Sequence, residues 1–247
     1  MKKYLFFTLL LITTCFFSCS KDDAPGEFEI TSPKSLTLVF GATSQISTNS
    51  TDGVSYNSEN EYHATVSASG LITGKCIGET NIDVKHGNST NKIKITVIPK
   101  SALYTEPDFL FNNTKDQILS RFINPETLND KSIIYNGAYN GVYKIAYMFE
   151  NNKCSSIIVL ISTLHMNDLS NFIDERYEYY SSTPMDNGTD IMMFLNEDKT
   201  MAVGVYLFNT SYLAVMYTPN TYTKGILREQ RKLNYLYILN DKKESGI

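Results

Sequence analysis

ATVSASGLITG, Ala64 to Gly74, is the stretch that decides the fold of the N-terminal half. A short β-prone run ends at Val66, Ser69 and Gly70 supply a turn, and Leu71 to Thr73 lead back to Gly74. Segments this short, punctuated by small turn-forming residues, leave no room for a helical period and read as strand, turn and return strand. Outward from this stretch the text keeps the same grain, with β-prone runs at Ser35 to Phe40, Ser44 to Thr48, Val54 to Asn57, Asn81 to Lys85 and Lys92 to Ile98. In the last run Ile93, Ile95 and Val97 alternate with Lys92, Lys94 and Thr96, the period-2 pattern of a half-buried strand. Residues 27 to 98 are therefore expected to form an all-β sandwich.

SLTLVFGAT at Ser35 to Thr43, YNSEN at Tyr56 to Asn60, ATVSASGLITG, and GETNI at Gly78 to Ile82 together resemble the bacterial Ig-like group 2 (BIG2) family. The resemblance covers about seventy residues and implies an Ig-like sandwich. It departs at Tyr56, where the family usually carries a core Trp. The resemblance implies little chemistry: such modules serve as stalks, spacers and adhesive units of surface proteins and bring no catalytic residues. His63 and His86 have no metal-ligand spacing to Cys or carboxylate neighbours and are expected to be exposed turn or strand residues.

The N-terminus reads MKKYLFFTLLLITTCFFSCSKDD. Two lysines, a short apolar run and a small residue make the layout of a secretory signal over residues 1 to 18, and the run is too short for a spanning helix. FFSC at Phe16 to Cys19 resembles the lipobox of bacterial lipoproteins, which implies that Cys19 carries the acyl chains, with 19 to 26 as the lipidated tether. Ser20, Lys21, Asp22 and Asp23 resemble the acidic tag that directs lipoproteins to the cell surface. The expected location is the outer membrane, lipid-anchored and facing outward, with the periplasmic face as the alternative. Of the four cysteines, Cys76 and Cys154 remain after the signal and the anchor, and two buried free thiols are expected.

At 247 residues the chain fits two domains, and 42% hydrophobic with 19% charged residues is a composition that folds. The formal charge is −4, and no cluster of Lys and Arg stands out, so nucleic acid is not an expected partner. Past a junction at Pro99 to Pro107 the pattern changes. Thr114 and Gln117 form a capping box ahead of Ile118, Leu119 and Phe122, which predicts a helix over about Lys115 to Phe122. Strands are predicted near 132–135, 142–149 and 155–162. A second helix is predicted on the spacing of Leu169, Phe172, Ile173, Tyr177 and Tyr180, with Glu175, Arg176 and Glu178 on its solvated side. Strands near 190–195, 201–208 and 211–217 complete a second round. The order helix and three strands thus occurs twice, with a textual echo between YMFENNK at 147–153 and MMFLNEDK at 192–199. The expectation for residues 101 to 220 is an α+β domain with a six-stranded antiparallel sheet and two helices on one face, carrying a candidate internal repeat. In the strand from Val142 the apolar side is predicted to hold Tyr143, Ile145, Tyr147 and Phe149. In the tail, 221 to 247, Leu227, Arg231, Leu233 and Tyr237 predict a helix that frays by Asp241, while Tyr235 to Leu239 equally admits a strand.

Three scattered histidines make no nucleophile and base pair, and there is no phosphate-binding glycine loop, no metal cluster and no cofactor motif. The chain is not expected to be an enzyme, although two carboxylates facing each other in a cleft of residues 101 to 220 would serve a hydrolase. With seventeen Tyr and no Trp, the amphipathic aromatics are all tyrosines, and Tyr177, Tyr179 and Tyr180 form the candidate binding patch. The leading expectation is a surface lipoprotein whose Ig-like module lifts the second domain from the membrane to bind a glycan or protein. A periplasm-facing assembly or inhibitor lipoprotein is the alternative.

Overall fold

The computed structural model describes residues 28–138, 141–184 and 188–220. The signal peptide, Cys19 and the tether expected from the sequence, as well as the helix expected in the tail, lie outside the described residues.

The first seven strands are β1 (Ser35–Val39), β2 (Thr43–Gln45), β3 (Val54–Ser58), β4 (Ala64–Val66), β5 (Leu71–Gly74), β6 (Gly78–His86) and β7 (Ser89–Ile98). They form a four-stranded sheet in the order β1-β7-β6-β3 against a three-stranded sheet in the order β2-β5-β4. β1 runs parallel to β7 and all other pairs are antiparallel. Ile93, Ile95 and Val97 of β7 point inward, where they meet Leu38, Ile72, Ile82 and Val84, while Lys92 and Lys94 stay in solvent. Each large side chain taken out of water in such a core is worth roughly 1.5–3 kcal/mol. The turn from β4 to β5 depends on Gly70, which has φ +80 and lies under the ring of Tyr56; a Cβ there would sit 2.8 Å from Tyr56 Cζ. Tyr56, on β3, is half-buried against this core.

Residues 103 to 220 form a single eight-stranded sheet and little helix. Its elements are α1 (Lys115–Leu119), β8 (Thr127–Leu128), β9 (Ser132–Asn136), β10 (Val142–Glu150), β11 (Lys153–Ser162), α2 (Met166–Asp174), β12 (Glu178–Pro184), β13 (Asp190–Leu195), β14 (Met201–Leu207) and β15 (Tyr212–Pro219). The strand order is β12-β13-β14-β15-β11-β10-β9-β8, antiparallel at every step. The topology is thus two four-stranded meanders, each following a short helix, that meet where β11 pairs with β15. The hairpin from β10 to β11 turns through Asn151 and Asn152, both at positive φ, which Asn tolerates better than most residues.

Several expectations are corrected here. The domain is nearly all β, not α+β, with eight strands in place of six. The second helix stops at Asp174, and Tyr177 to Tyr180 do not continue it, because Glu178 opens β12. The first helix has the capping box between Thr114 and Gln117 but only five residues, ending before Ser120. Both helices do lie on one face, where Ile118, Leu169, Phe172 and Ile173 join Tyr147, Val159, Val203 and Val215 of the sheet. The strand from Val142 is apolar on both sides: Tyr147 and Phe149 face the helices while Ala146 and Met148 belong to a second apolar cluster on the opposite face. A register shift between Val142 and Lys144 turns Tyr143 out to 44% exposure, stacked on Tyr212. The two halves of the textual echo fall on different hairpins, β10–β11 and β13–β14, which do not occupy equivalent places in the two meanders.

Candidate functional site

The C-terminal end of α2 joins the two parts of the chain. Its cap residue, Glu175, has no exposed surface, and its carboxylate accepts the backbone N–H of Lys100 at 2.6 Å and that of Ser101 at 3.1 Å. The same carboxylate pairs with Arg176, whose guanidinium carbon lies 3.7 Å over the ring of Phe172. The Glu175 carbonyl in turn accepts the N–H of Ile77 at 2.7 Å, and the hydroxyl of Tyr62 donates to the Arg176 carbonyl at 2.5 Å. Glu175 and Arg176 are therefore not the solvated side of a helix; Glu178 alone of that trio is exposed. A buried carboxylate must be paired and hydrogen-bonded, and here the linker backbone and an arginine do both.

A second set of contacts reaches the turn between β13 and β14. Asn60 donates its amide to Glu197 at 2.5 Å, and His63 Nε2 lies 3.3 Å from the other oxygen of Glu197. His63 is buried, not the exposed turn residue expected, and its Nδ1 lies 3.2 Å from the Cys76 carbonyl. Cys76 and Cys154 are both free and buried. His86 is half-buried and stacked on Phe28, and His165 contacts Asp168 at the start of α2 without capping it.

Between these contacts lies a cleft of about 680 Å³, with walls from both parts of the chain and from the linker. Tyr62, Phe109 and Phe111 give it aromatic surface, and Glu106, Glu197 and Asp198 give it carboxylates. Phe109 is 39% exposed and held by stacking on Phe111 and tilting against Tyr217. Glu106 sits at the inner end, accepting the hydroxyls of Tyr177 and, at 3.5 Å, Tyr217. Tyr217 and Tyr104 share a further hydrogen bond of 2.5 Å beneath it. Burial pushes the Glu106 carboxyl above the usual carboxylate range, against the pull of the Tyr177 hydroxyl and the Arg176 charge. Asp198, on the rim, is held below its usual range by the Thr200 hydroxyl and N–H. Aromatic surface beside a few convergent polar groups is an arrangement that can hold a small ligand. Among the described residues, no group of His, Cys, Asp and Glu is placed to hold a metal ion.

The structure divides the three candidate tyrosines. Tyr177 is buried and lines the cleft, whereas Tyr179 and Tyr180 lie on β12, an edge strand of the sheet, with 57% and 64% of their surface exposed. Sequence reasoning missed Glu106, Glu175 and the cleft itself. The available signal for Glu175 was its place just past the last apolar residue of α2, where a cap carboxylate can turn inward.

Residues 28–101 match the family model of the bacterial Ig-like domain (group 2). No curated protein matches the chain. Among solved structures, domains 4–9 of the surface layer protein SbsC are 14% identical, with 78% of this chain and 30% of that one covered at a TM-score of 0.26. Domains 5–6 of the S-layer protein SbsC are also 14% identical, with 78% of this chain and 95% of that one covered at a TM-score of 0.25. Neither superposition reaches the level at which a shared fold is implied.

Proposed function

We propose that the chain is an exported lipoprotein, anchored in the outer membrane through Cys19, that acts at the cell surface as a binding or adhesion module for a glycan or protein. The observation that carries this reading is the cleft at the junction. Glu175 ties the linker backbone to the end of α2, so the Ig-like module and the sheet domain are joined around one concave surface. Preorganisation lowers the entropic cost of binding. The aromatic faces of Tyr62 and Phe109 suit the apolar face of a sugar ring, and the carboxylates and amides around them suit its hydroxyls.

The test uses the soluble chain from Ser20 onward on a glycan array and in pull-downs from an extracellular matrix fraction, beside its Phe109→Ala variant. Binding that falls about tenfold in the variant, as loss of a stacking aromatic should produce, supports the cleft. Absence of binding to any glycan or surface partner, or binding indifferent to Phe109, overturns it. Release of reducing ends from a bound glycan would move the reading to hydrolysis by the cleft carboxylates. Anchoring is read separately: in the native host the mature protein should carry fatty acid on Cys19, and added protease should degrade it on intact cells. The alternative, a periplasm-facing assembly or inhibitor lipoprotein, has one observation in its favour, the exposed edge strand β12 with Tyr179 and Tyr180, a surface on which an extended segment of a protein partner could pair. Protection from added protease favours it.

A further inference from the structure

The eight-stranded sheet has two apolar faces, and only one of them is covered by described elements. On the first, α1, α2 and the segment around Tyr104 pack. The second holds Met148, Ile158, Ile191, Met193, Tyr206 and Met216 among others, every member of the cluster coming from the sheet itself. These side chains are nevertheless shielded, Ile158, Ile191 and Met216 at 0% exposure and Met148 at 1%. Left open, eleven such residues would make an apolar patch far larger than the few hundred Å² a soluble domain tolerates. Three hydroxyls on the same face, those of Ser132, Ser156 and Tyr206, are buried with no hydrogen-bond partner among the described residues. Ser132 and Ser156 stand directly opposite Met148 on the flanking strands, which fixes them to this face. A cover is required, and it must bring polar partners as well as apolar surface.

We propose that residues 221–247 of the same chain dock across this second face. They follow directly on β15, the fourth of the eight strands, so they start at the middle of the surface to be covered. The eight residues of β15 run ~26 Å, and twenty-seven residues reach ~40 Å even at the most compact helical rise, enough to recross the sheet. The segment supplies Ile226, Leu227, Leu233 and the run Tyr235 to Leu239 as apolar surface, and Arg228, Gln230, Arg231 and Asn234 as partners for the orphaned hydroxyls. Its charge is complementary too: six basic and three acidic side chains, against 14 basic and 23 acidic in residues 19–220. The other stretches outside the described residues fit less well. Residues 139–140 and 185–187 are too short, and residues 20 to 27, SKDDAPGE, are polar and lead into Phe28 on the Ig-like core.

Three methionines on this face give the readout. In the chain from Ser20 to Ile247, Met148, Met193 and Met216 should resist peroxide, as should Met201, buried on the opposite face. Truncation after Asn220 should make the first three oxidise about tenfold faster while Met201 keeps its protection, and adding the 221–247 peptide in trans should restore them. If the truncated chain does not fold, the full-length Leu236→Asp, Ile238→Asp variant reads the same three residues. Unchanged protection after truncation overturns the proposal. So does oxidation of all three in the untruncated chain from Ser20, which would assign the cover to the leader, or protection that appears only with dimerisation, which would assign it to a second copy.

Discussion

The carboxylate of Glu175, wholly removed from solvent, accepts the backbone N–H of Lys100, seventy-five residues earlier in the chain, at 2.6 Å. One side chain thus fixes the linker at the point where the Ig-like module ends. Glu175→Ala would leave two linker N–H groups and the Arg176 guanidinium without their partner, and breaking a buried pair in this way costs about 3–5 kcal/mol. Glu175→Gln, which keeps an acceptor but loses the charge, should cost less. Urea denaturation of the two variants gives the ordering, and small-angle scattering of the alanine variant should show a longer molecule as the junction opens.

Gly78, at φ +139, begins β6 immediately beside His63. A Cβ there would lie 2.3 Å from His63 Cε1, so Gly78→Ala must displace the ring and, with it, the contacts to Cys76 and Glu197. Backbone strain and displacement together should destabilise the protein by about 1–3 kcal/mol. Thermal unfolding measures the loss. A variant that melts with the parent would show that the ring at 63 moves freely.

What the sequence made legible follows from the range of the interactions concerned. The sandwich could be read because Ile93, Ile95 and Val97 carry their burial in a period of two, and the turn at Ser69 and Gly70 carries its geometry in residue type. The capping box at Thr114 could be read because both of its hydrogen bonds span three residues. The strand β12 could not. Tyr177, just before it, and Tyr180, within it, continue the helical spacing of Leu169 and Phe172, yet the helix ends where Glu175 turns inward toward a linker far away in sequence. The cleft was invisible for the same reason, since Tyr62, Glu106 and Asp198 meet only through tertiary packing.

Burial pushes the Cys154 thiol up to about 12, and burial likewise raises that of Cys76. Since the thiolate is the reactive species, neither should be alkylated at neutral pH in the folded chain from Ser20 onward. Two equivalents of a thiol reagent should react once the chain is unfolded in guanidinium, and mass spectrometry of the native protein should find none. Rapid labelling of Cys76 alone would mean that the junction beside Asp174 opens on the experimental timescale.

Glu106 tests whether the inner end of the cleft is as dry as its surroundings indicate. Its carboxyl is raised above the ordinary 4.5 mainly by burial. A proton is therefore held more tightly in the folded state than in the unfolded one, and the associated stability is fully present below the ordinary value and lost as the pH rises through the folded value. Glu106→Gln keeps an oxygen to accept the Tyr177 hydroxyl and removes the charge, so it escapes that loss. Relative to the parent, the variant should be more stable at pH 8, and the advantage should shrink as the pH falls toward 4. Exposed carboxylates with lowered values, such as Asp198, act in the opposite sense, but they are common to both proteins and cancel in the difference. Denaturant titrations of the pair at a series of pH values give that difference directly. An advantage that grows toward acid would mean that the Tyr177 and Tyr217 hydroxyls and the Arg176 charge outweigh burial, leaving Glu106 a stabilised anion at the floor of the cleft.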